Sequence, residues 1–271
     1  MSKSSSAPVR VLVLVKYVPD SQFPRHFDAG NRLSREESIL SELDEYALEA
    51  ALAISEAHGG EKVSPVTVLT VGPDAAAAAV KKALQMGAAS GVHVSDEAIA
   101  GSDALATSRV LEAAVRRVQP DLVVTGMSST DAEMGVIASM LAARLGWPQL
   151  TLASGDVELS DDAATLSARR DEDTEVLTLS APLPAVLSVT DQANEPRYPN
   201  FKSILGARKK PVETLALADL GLSPELVGPG GSGVSVLEAG DAPARPAGRV
   251  IVDDGEAGVA LVDFLAERNL I

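Results

Sequence analysis

No cysteine occurs in the 271 residues. That excludes thiol nucleophiles, disulfides and thiolate-held metal or iron–sulfur sites, and it fits a reducing compartment. Aromatic residues are scarce, with one Trp, three Tyr and four Phe. This chain alone therefore offers few surfaces on which a base or a flavin ring could stack. Positive charge is also short: 23 Lys and Arg stand against 38 Asp and Glu, for a net charge of −15. Such a balance repels nucleic acid and anionic lipid at long range and favours solubility. No apolar run approaches the ~20 residues a membrane helix needs. The N-terminal MSKSSSAPVR has no apolar segment of the signal-peptide kind. These absences describe a soluble, cytoplasmic protein with no nucleic-acid partner and no membrane insertion.

What is present is a hydrophobic content of 46%, enough for a substantial core. VRVLVLVKYV (9–18) is a continuous valine-rich run, the pattern of a strand buried on both faces. A polar loop over 19–42 follows, with a hairpin at FDAGNR. Residues 43–60 then read as a helix, with an apolar stripe at Leu43, Ala47, Ala50, Ala51 and Ile54. Alternation continues with strands at 65–72, 91–96 and 121–126 and helices at 73–86, 103–118 and 131–145. Strands alternating with helices of this length predict a doubly wound, mostly parallel α/β sheet of Rossmann-like type. Residues 155–180 change grammar, with two acidic turns, SDDA and DEDTE, between strand-like pieces; this predicts an antiparallel excursion whose carboxylates are solvated. A last buried strand lies at 183–191, and GLSPELVGPGGSG (221–233) reads as a flexible linker. The final residues, including a helix over 256–271, read as an arm that needs another surface to lie on.

In open α/β sheets ligands sit at the carboxyl ends of the strands, near a switch in strand order. Candidate ends follow Val15, Val71 and Gly126. After Gly126, the run MSSTDAEMG leads into helical periodicity. Thr130 and Glu133 fit a capping box, with Met134, Ile137, Met140, Leu141 and Leu145 facing the sheet. Free amide groups near 133–137 would then favour an anion, although Glu133 itself opposes one. The three histidines, His26, His58 and His93, stand at unrelated spacings and read as surface or loop residues. There is no Walker A lysine loop, no nucleophile elbow, and no visible pairing of acid with base.

VLVLVKYVPD, LSELDEYALEAA (40–51), VTVLTVGPDAAAAAVKKALQMGA (66–88), DLVVTGMSSTD, LGWPQLT and LPAVLSVTDQANEPRYPNFKSILGARKKPV occur in order. Together they resemble the electron-transfer flavoprotein β subunit, including FixA-like members, over nearly the whole chain. The resemblance implies an adenine-nucleotide-hydrolase-like fold and a non-catalytic electron-carrier subunit paired with an α subunit. It implies AMP bound structurally in this chain, with FAD held mainly by α. Electrons would pass from acyl-CoA dehydrogenases and related flavoenzymes, as in fatty acid β-oxidation, toward a membrane quinone oxidoreductase. Residues implied at the nucleotide are Leu14, Ser41, Glu42, Leu43, Asp44, Val71, Gly126, Met127, Ser128, Ser129, Thr130, Asp131, Met134, Gly135, Val136 and Ile137. Family members often carry polar groups where Gly135, Val136 and Ile137 stand, which leaves backbone N–H groups to hold a phosphate. Two alternatives stay open: a bifurcating-type β subunit with a second FAD in this site, and, from another class, a stand-alone adenine-nucleotide sensor of universal-stress type.

The resemblance also implies a partner-docking loop from about residue 194, comprising Glu195, Pro196, Arg197, Tyr198, Phe201, Ile204 and Leu205. Pro199 suits the first turn of a short helix, and Phe201, Ile204 and Leu205 then share one apolar face. The expected organisation is a nucleotide-binding domain over 1–204 and a C-terminal arm over 205–271 that wraps the α subunit. Leu215, Leu217, Leu220, Leu226, Val236, Leu261, Phe264 and Leu265 would then cover that subunit.

Overall fold

The computed structural model describes residues 7–240, 243, 247–253 and 255–271. Its strands are β1 (Val11–Leu14), β2 (Tyr17–Pro19), β3 (Ser38–Leu40), β4 (Val66–Val71), β5 (Ser90–Val94), β6 (Leu122–Gly126), β7 (Gln149–Ala153), β8 (Gly155–Leu159), β9 (Thr165–Asp171), β10 (Val176–Pro182), β11 (Ala185–Val189) and β12 (Val212–Leu215). Its helices are α1 (Glu42–Ala57), α2 (Ala77–Met86), α3 (Ala104–Val118), α4 (Ile137–Leu145), α5 (Phe201–Ala207), the single turn α6 (Gly228–Gly231) and α7 (Ala257–Glu267).

Seven strands pair in the order β12-β5-β4-β1-β6-β11-β7, parallel at every step. Every residue of β1, β6 and β11 is buried, which is why these runs carry no polar alternation. One core packs α1 and α2 on one face through Ala47, Leu48, Ala51, Val80 and Leu84. A second packs α3 and α4 on the other through Val110, Leu111, Val115 and Leu141. The sheet is therefore doubly wound, as the alternation implied. Burial of each such Leu or Val contributes ~1.5–3 kcal/mol. The excursion after Ala153 forms a separate antiparallel sheet, β10-β9-β8. Its acidic turns are exposed, Asp161 and Asp162 in one and Asp171 to Glu175 in the other. FDAGNR closes a hairpin bridged at Phe27 and Leu33, with Asp28 Oδ1 accepting the N–H groups of Gly30 (2.8 Å) and Arg32 (3.0 Å).

Several expectations are corrected. The helix before Met86 opens as a 3-10 turn at Asp74–Ala76. GPGGSG is not a free linker: Gly228 is buried, its N–H donates to Ser102 Oγ (2.7 Å), and Arg109 Nη1 donates to the carbonyls of Leu226 and Gly231. His58 and His93 are buried rather than surface residues, while His26 is exposed. His58 caps the end of α1, with its ring nitrogens on the carbonyls of Ala7 and Leu159; His93 Nε2 meets the carbonyl of Gly72. Leu215 and Leu217, expected to cover a partner, are buried in the second core because β12 extends the main sheet beside β5. The chain divides into two units, Met1–Ala239 and Gly240–Ile271. Residues 205–239, expected to begin the arm, thus belong to the first unit.

Candidate functional site

Strands β1, β4 and β5 step outward in one direction, while β6 lies on the other side of β1. The order reverses at β1, so the crevice opens between the carboxyl ends of β1 and β6. Leu14 ends β1, Val71 ends β4 and Gly126 ends β6. The N-terminus of α1 is pressed into this crevice. A Cβ added at Gly126 would stand 2.7 Å from the Leu43 carbonyl oxygen and 2.9 Å from Asp44 Oδ1. Glycine is thus required there for close approach. Ser41, the residue before α1, makes no side-chain cap; its N–H donates to Lys16 O (2.9 Å), and its buried hydroxyl has no partner among the described residues. Thr70, next to the end of β4, likewise has a buried hydroxyl without a partner among the described residues.

Two carboxylates face each other across the crevice with opposite outcomes. Asp44 is buried and accepts the Lys16 N–H (2.7 Å) and the Gly126 N–H. Desolvation dominates over those two donors and the Lys16 charge, the Asp131 charge adds to it, and the Asp44 carboxyl is pushed up to about 7. Asp131 is also opposed by burial, but Lys16 Nζ (2.7 Å), the Ser129 hydroxyl and Arg35 Nη2 (3.0 Å) outweigh it and hold its carboxyl well below the ordinary range. Lys16 Nζ also donates to Ser129 Oγ (3.2 Å), and Arg25 Nη2 to Thr130 O (2.9 Å). Three cations from the segment after β1 thereby tie down the loop after β6.

That loop corrects the sequence reading. The helix begins at Ile137, not near 131, and Val136 precedes it without a side-chain cap. Thr130 and Glu133 form no capping box. Asp131 is drawn inward by Lys16 and Arg35, while Glu133 (φ 52) and Gly135 (φ 62) take left-handed conformations that interrupt a helix. Met134 is exposed instead of facing the sheet, Ile137 and Met140 are half-buried, and Leu141 and Leu145 are buried. The amides of Ile137, Ala138 and Ser139 precede the first intrahelical bond, Met140 N–H to Val136 O (2.9 Å). The anion-favouring end therefore lies a few residues later than expected. Met127, Ser128, Ser129, Thr130 and Val136 are half-buried along the loop, and Glu42 is exposed at the start of α1. Lys16, inside the valine-rich run, and Arg35, in the polar loop, are missed by local pattern because their roles depend on pairing with a residue about a hundred positions away.

The implied docking residues lie apart from the strand ends. Glu195 is exposed, Pro196 is half-buried, and Tyr198 and Phe201 are 89% and 78% exposed. Pro199 precedes α5 rather than occupying its first turn, because Asn200 and Ser203 form the capping box at that point. Ile204 is half-buried and Leu205 exposed. Arg197 faces α1, donating to Glu49 and Glu56. A cleft of about 350 Å³ lies beneath α5, lined in part by Leu52, Ser55, Gly87 and Lys202, and not over the strand ends. Its lining mixes charges of both signs, so chemistry rather than volume marks the strand ends as the nucleotide candidate.

The electron transfer flavoprotein domain model matches residues 33–220, well over half the chain. The chain belongs to the electron transfer flavoprotein family. It is 39% identical over 266 residues to the electron transfer flavoprotein subunit beta of Mycobacterium tuberculosis (strain ATCC 25618 / H37Rv), covering 96% of this chain and 99% of that protein. It is 32% identical over 268 residues to the caffeyl-CoA reductase-Etf complex subunit CarD of Acetobacterium woodii, covering 97% and 100%. Protein FixA of Azorhizobium caulinodans is 34% identical over 221 residues, covering 79% and 77%. The matched flavoprotein domain takes in α1, the loop after β6, the antiparallel sheet, α5 and β12. Leu14 and Lys16 precede its first matched residue.

Proposed function

We propose that this chain is the β subunit of a heterodimeric electron transfer flavoprotein, a non-catalytic carrier that binds AMP at the strand ends and supports an FAD held mainly by an α subunit. The observation that carries the nucleotide reading is the donor set of the crevice. Gly126 lets α1 approach closely, Ser41 and Thr70 carry buried hydroxyls with no partner among the described residues, and the first amides of α4 have no intrahelical acceptor. A buried hydroxyl without a partner costs about 1–3 kcal/mol. A ribose or phosphate oxygen supplies such a partner, and backbone amides suit a phosphate where Val136 and Ile137 offer no polar side chain. The ionisable groups of the crevice, Asp44, Asp131, Lys16 and Arg35, are engaged with one another or with backbone, which suits a structural ligand better than acid–base chemistry. When bound, FAD supplies the electron chemistry of the dimer. The chain's own residues hold the nucleotide, keep the loop after β6 in place through Asp131, and present α5 to partner proteins. Those partners are acyl-CoA dehydrogenases as donors and a membrane quinone oxidoreductase as acceptor, met from solution.

Co-expression with the α subunit, followed by nucleotide extraction, tests this reading. One FAD and one AMP per heterodimer is the expected result. Two FAD and no AMP would replace it with a β subunit that carries its own flavin. No nucleotide beyond the α-held FAD would overturn the strand-end site.

A further inference from the structure

Helix α5 has seven residues, of which only Ala207 is buried, and it stands over the cleft instead of filling it. Phe201 and Leu205 point outward, 78% and 45% exposed. So short a helix seats only Ala207 and part of Ile204 against its neighbours, chiefly α2, and that seating alone leaves its tilt weakly fixed. Beyond that seating it is tied at its two ends by cations. Before it, Arg197 places Nε and Nη2 on the two carboxylate oxygens of Glu49 (2.7 and 2.8 Å) and Nη1 on Glu56 (2.6 Å), and its N–H reaches Glu49 as well (3.1 Å). Glu49 and Glu56 lie two turns apart on α1. After it, Lys210 Nζ donates to the carbonyls of Ala88 (2.6 Å) and Gly87 (3.3 Å) beyond the end of α2, a helix with no basic residue in its own last turn.

We propose that Arg197 and Lys210 are positioning residues that strap α5 between α1 and α2, so that Phe201 and Leu205 are presented in one orientation to a flavoenzyme partner. The inference rests on the docking reading of α5 and adds how that surface is kept in place. Each strap anchors the segment without spending apolar surface, so the aromatic side chain stays available. The Arg197 fork fixes direction as well as position, which an ammonium group cannot do. With the strap cut, α5 can tip into the cleft below it, and only a fraction of molecules present Phe201. Apparent affinity falls by that fraction, so a one-in-ten population gives about a tenfold loss. Arg197 then need not touch the partner at all.

The test uses the full chain co-purified with its α subunit, assayed with an acyl-CoA dehydrogenase as electron donor. Arg197→Gln, Glu49→Gln, the double variant and Phe201→Ala are compared. The expected result is a rise of about tenfold in KM for the carrier in both single strap variants, with kcat unchanged and the double variant no worse than either. Amide exchange over residues 198–206 should quicken, while flavin content and direct reduction by dithionite hold. A KM raised by Arg197→Gln but not by Glu49→Gln would mean that Arg197 contacts the partner itself, and would overturn the strap. Unchanged KM in both, with Phe201→Ala raising it, would overturn the strap and leave docking standing. A silent Phe201→Ala would overturn the docking reading and this inference together. Should Arg197→Gln not purify, Lys210→Met carries the same test at the other end, where an unchanged KM counts against the proposal.

Discussion

Residue 44 places a carboxylate where solvent hardly reaches it. Because the folded-state pKa of Asp44 is raised to about 7, the folded chain binds that proton more tightly than the unfolded chain. Its contribution to stability is complete below the ordinary carboxylate pKa and is lost as pH rises through about 7. Asp131 has the opposite sign: held well below its ordinary value, it stabilises above the unfolded pKa and loses that contribution as pH falls through the folded one. Asp44→Asn removes the first titration. The amide turns an NH2 toward one of the two backbone donors, which costs about 1–3 kcal/mol. The variant should therefore melt below the wild type at pH 5, with the gap narrowing at pH 8, where the wild type carries the ionised buried group. Thermal melts at the two pH values check this; a gap that stays the same at both pH values would show Asp44 ionised throughout. Gly126→Ala acts by contact instead. Its methyl group meets a backbone carbonyl and Asp44, neither able to withdraw without moving α1, so destabilisation of about 1–3 kcal/mol is expected. The stabilisation given by added AMP should be lost with it, as read by melting with and without the nucleotide.

Elements were legible in proportion to how local their causes are. The strands at 11–14, 122–126 and 185–189 declare themselves because burial on both faces leaves only Val, Leu and a few small residues. The start of α4 did not, because it is decided from afar. Thr130 and Glu133 offer a plausible local cap, yet Lys16 and Arg35, from the other side of the crevice, take Asp131 and set the loop's path. GPGGSG shows the same effect, since Ser102 and Arg109 give a glycine-rich run its fixed place. The strand-end residues could be gathered from the fold pattern and the family resemblance together, but the tie between them is a matter of long-range pairing. Asp131→Asn tests that tie at the scale of the loop. It removes the charge that Lys16 and Arg35 hold while keeping the shape. Partial exposure of both cations softens the loss, so a cost of about 1–3 kcal/mol is expected. Amide exchange should quicken through residues 127–136, and the melting rise on adding AMP should shrink. Exchange unchanged in that loop would show it to be held by its own backbone conformation.

On the scale of the molecule, the last 32 residues form a unit distinct from the rest. Both hydrophobic cores lie wholly within the first unit, closing with Val227. The second unit contributes α7, eleven residues long, none of them buried. Val259, Leu261 and Val262 are each more than half exposed. A helix this short is marginal alone, and one this apolar needs cover. The proposed α subunit is the occupant consistent with the family, and the contact would be mainly apolar rather than ionic. Ending the chain at Ala239 separates folding from assembly. The shortened chain should keep its melting transition and its response to AMP, because both hydrophobic cores and the strand-end residues precede residue 240. Co-purification with the α subunit should fall by at least tenfold, since the loss of even one well-seated apolar anchor costs ~2 kcal/mol or more. The deficit should persist at high salt, where ionic contacts are screened and apolar ones are not. A heterodimer that assembles undiminished without residues 240–271 would place the α-binding surface on the first unit instead.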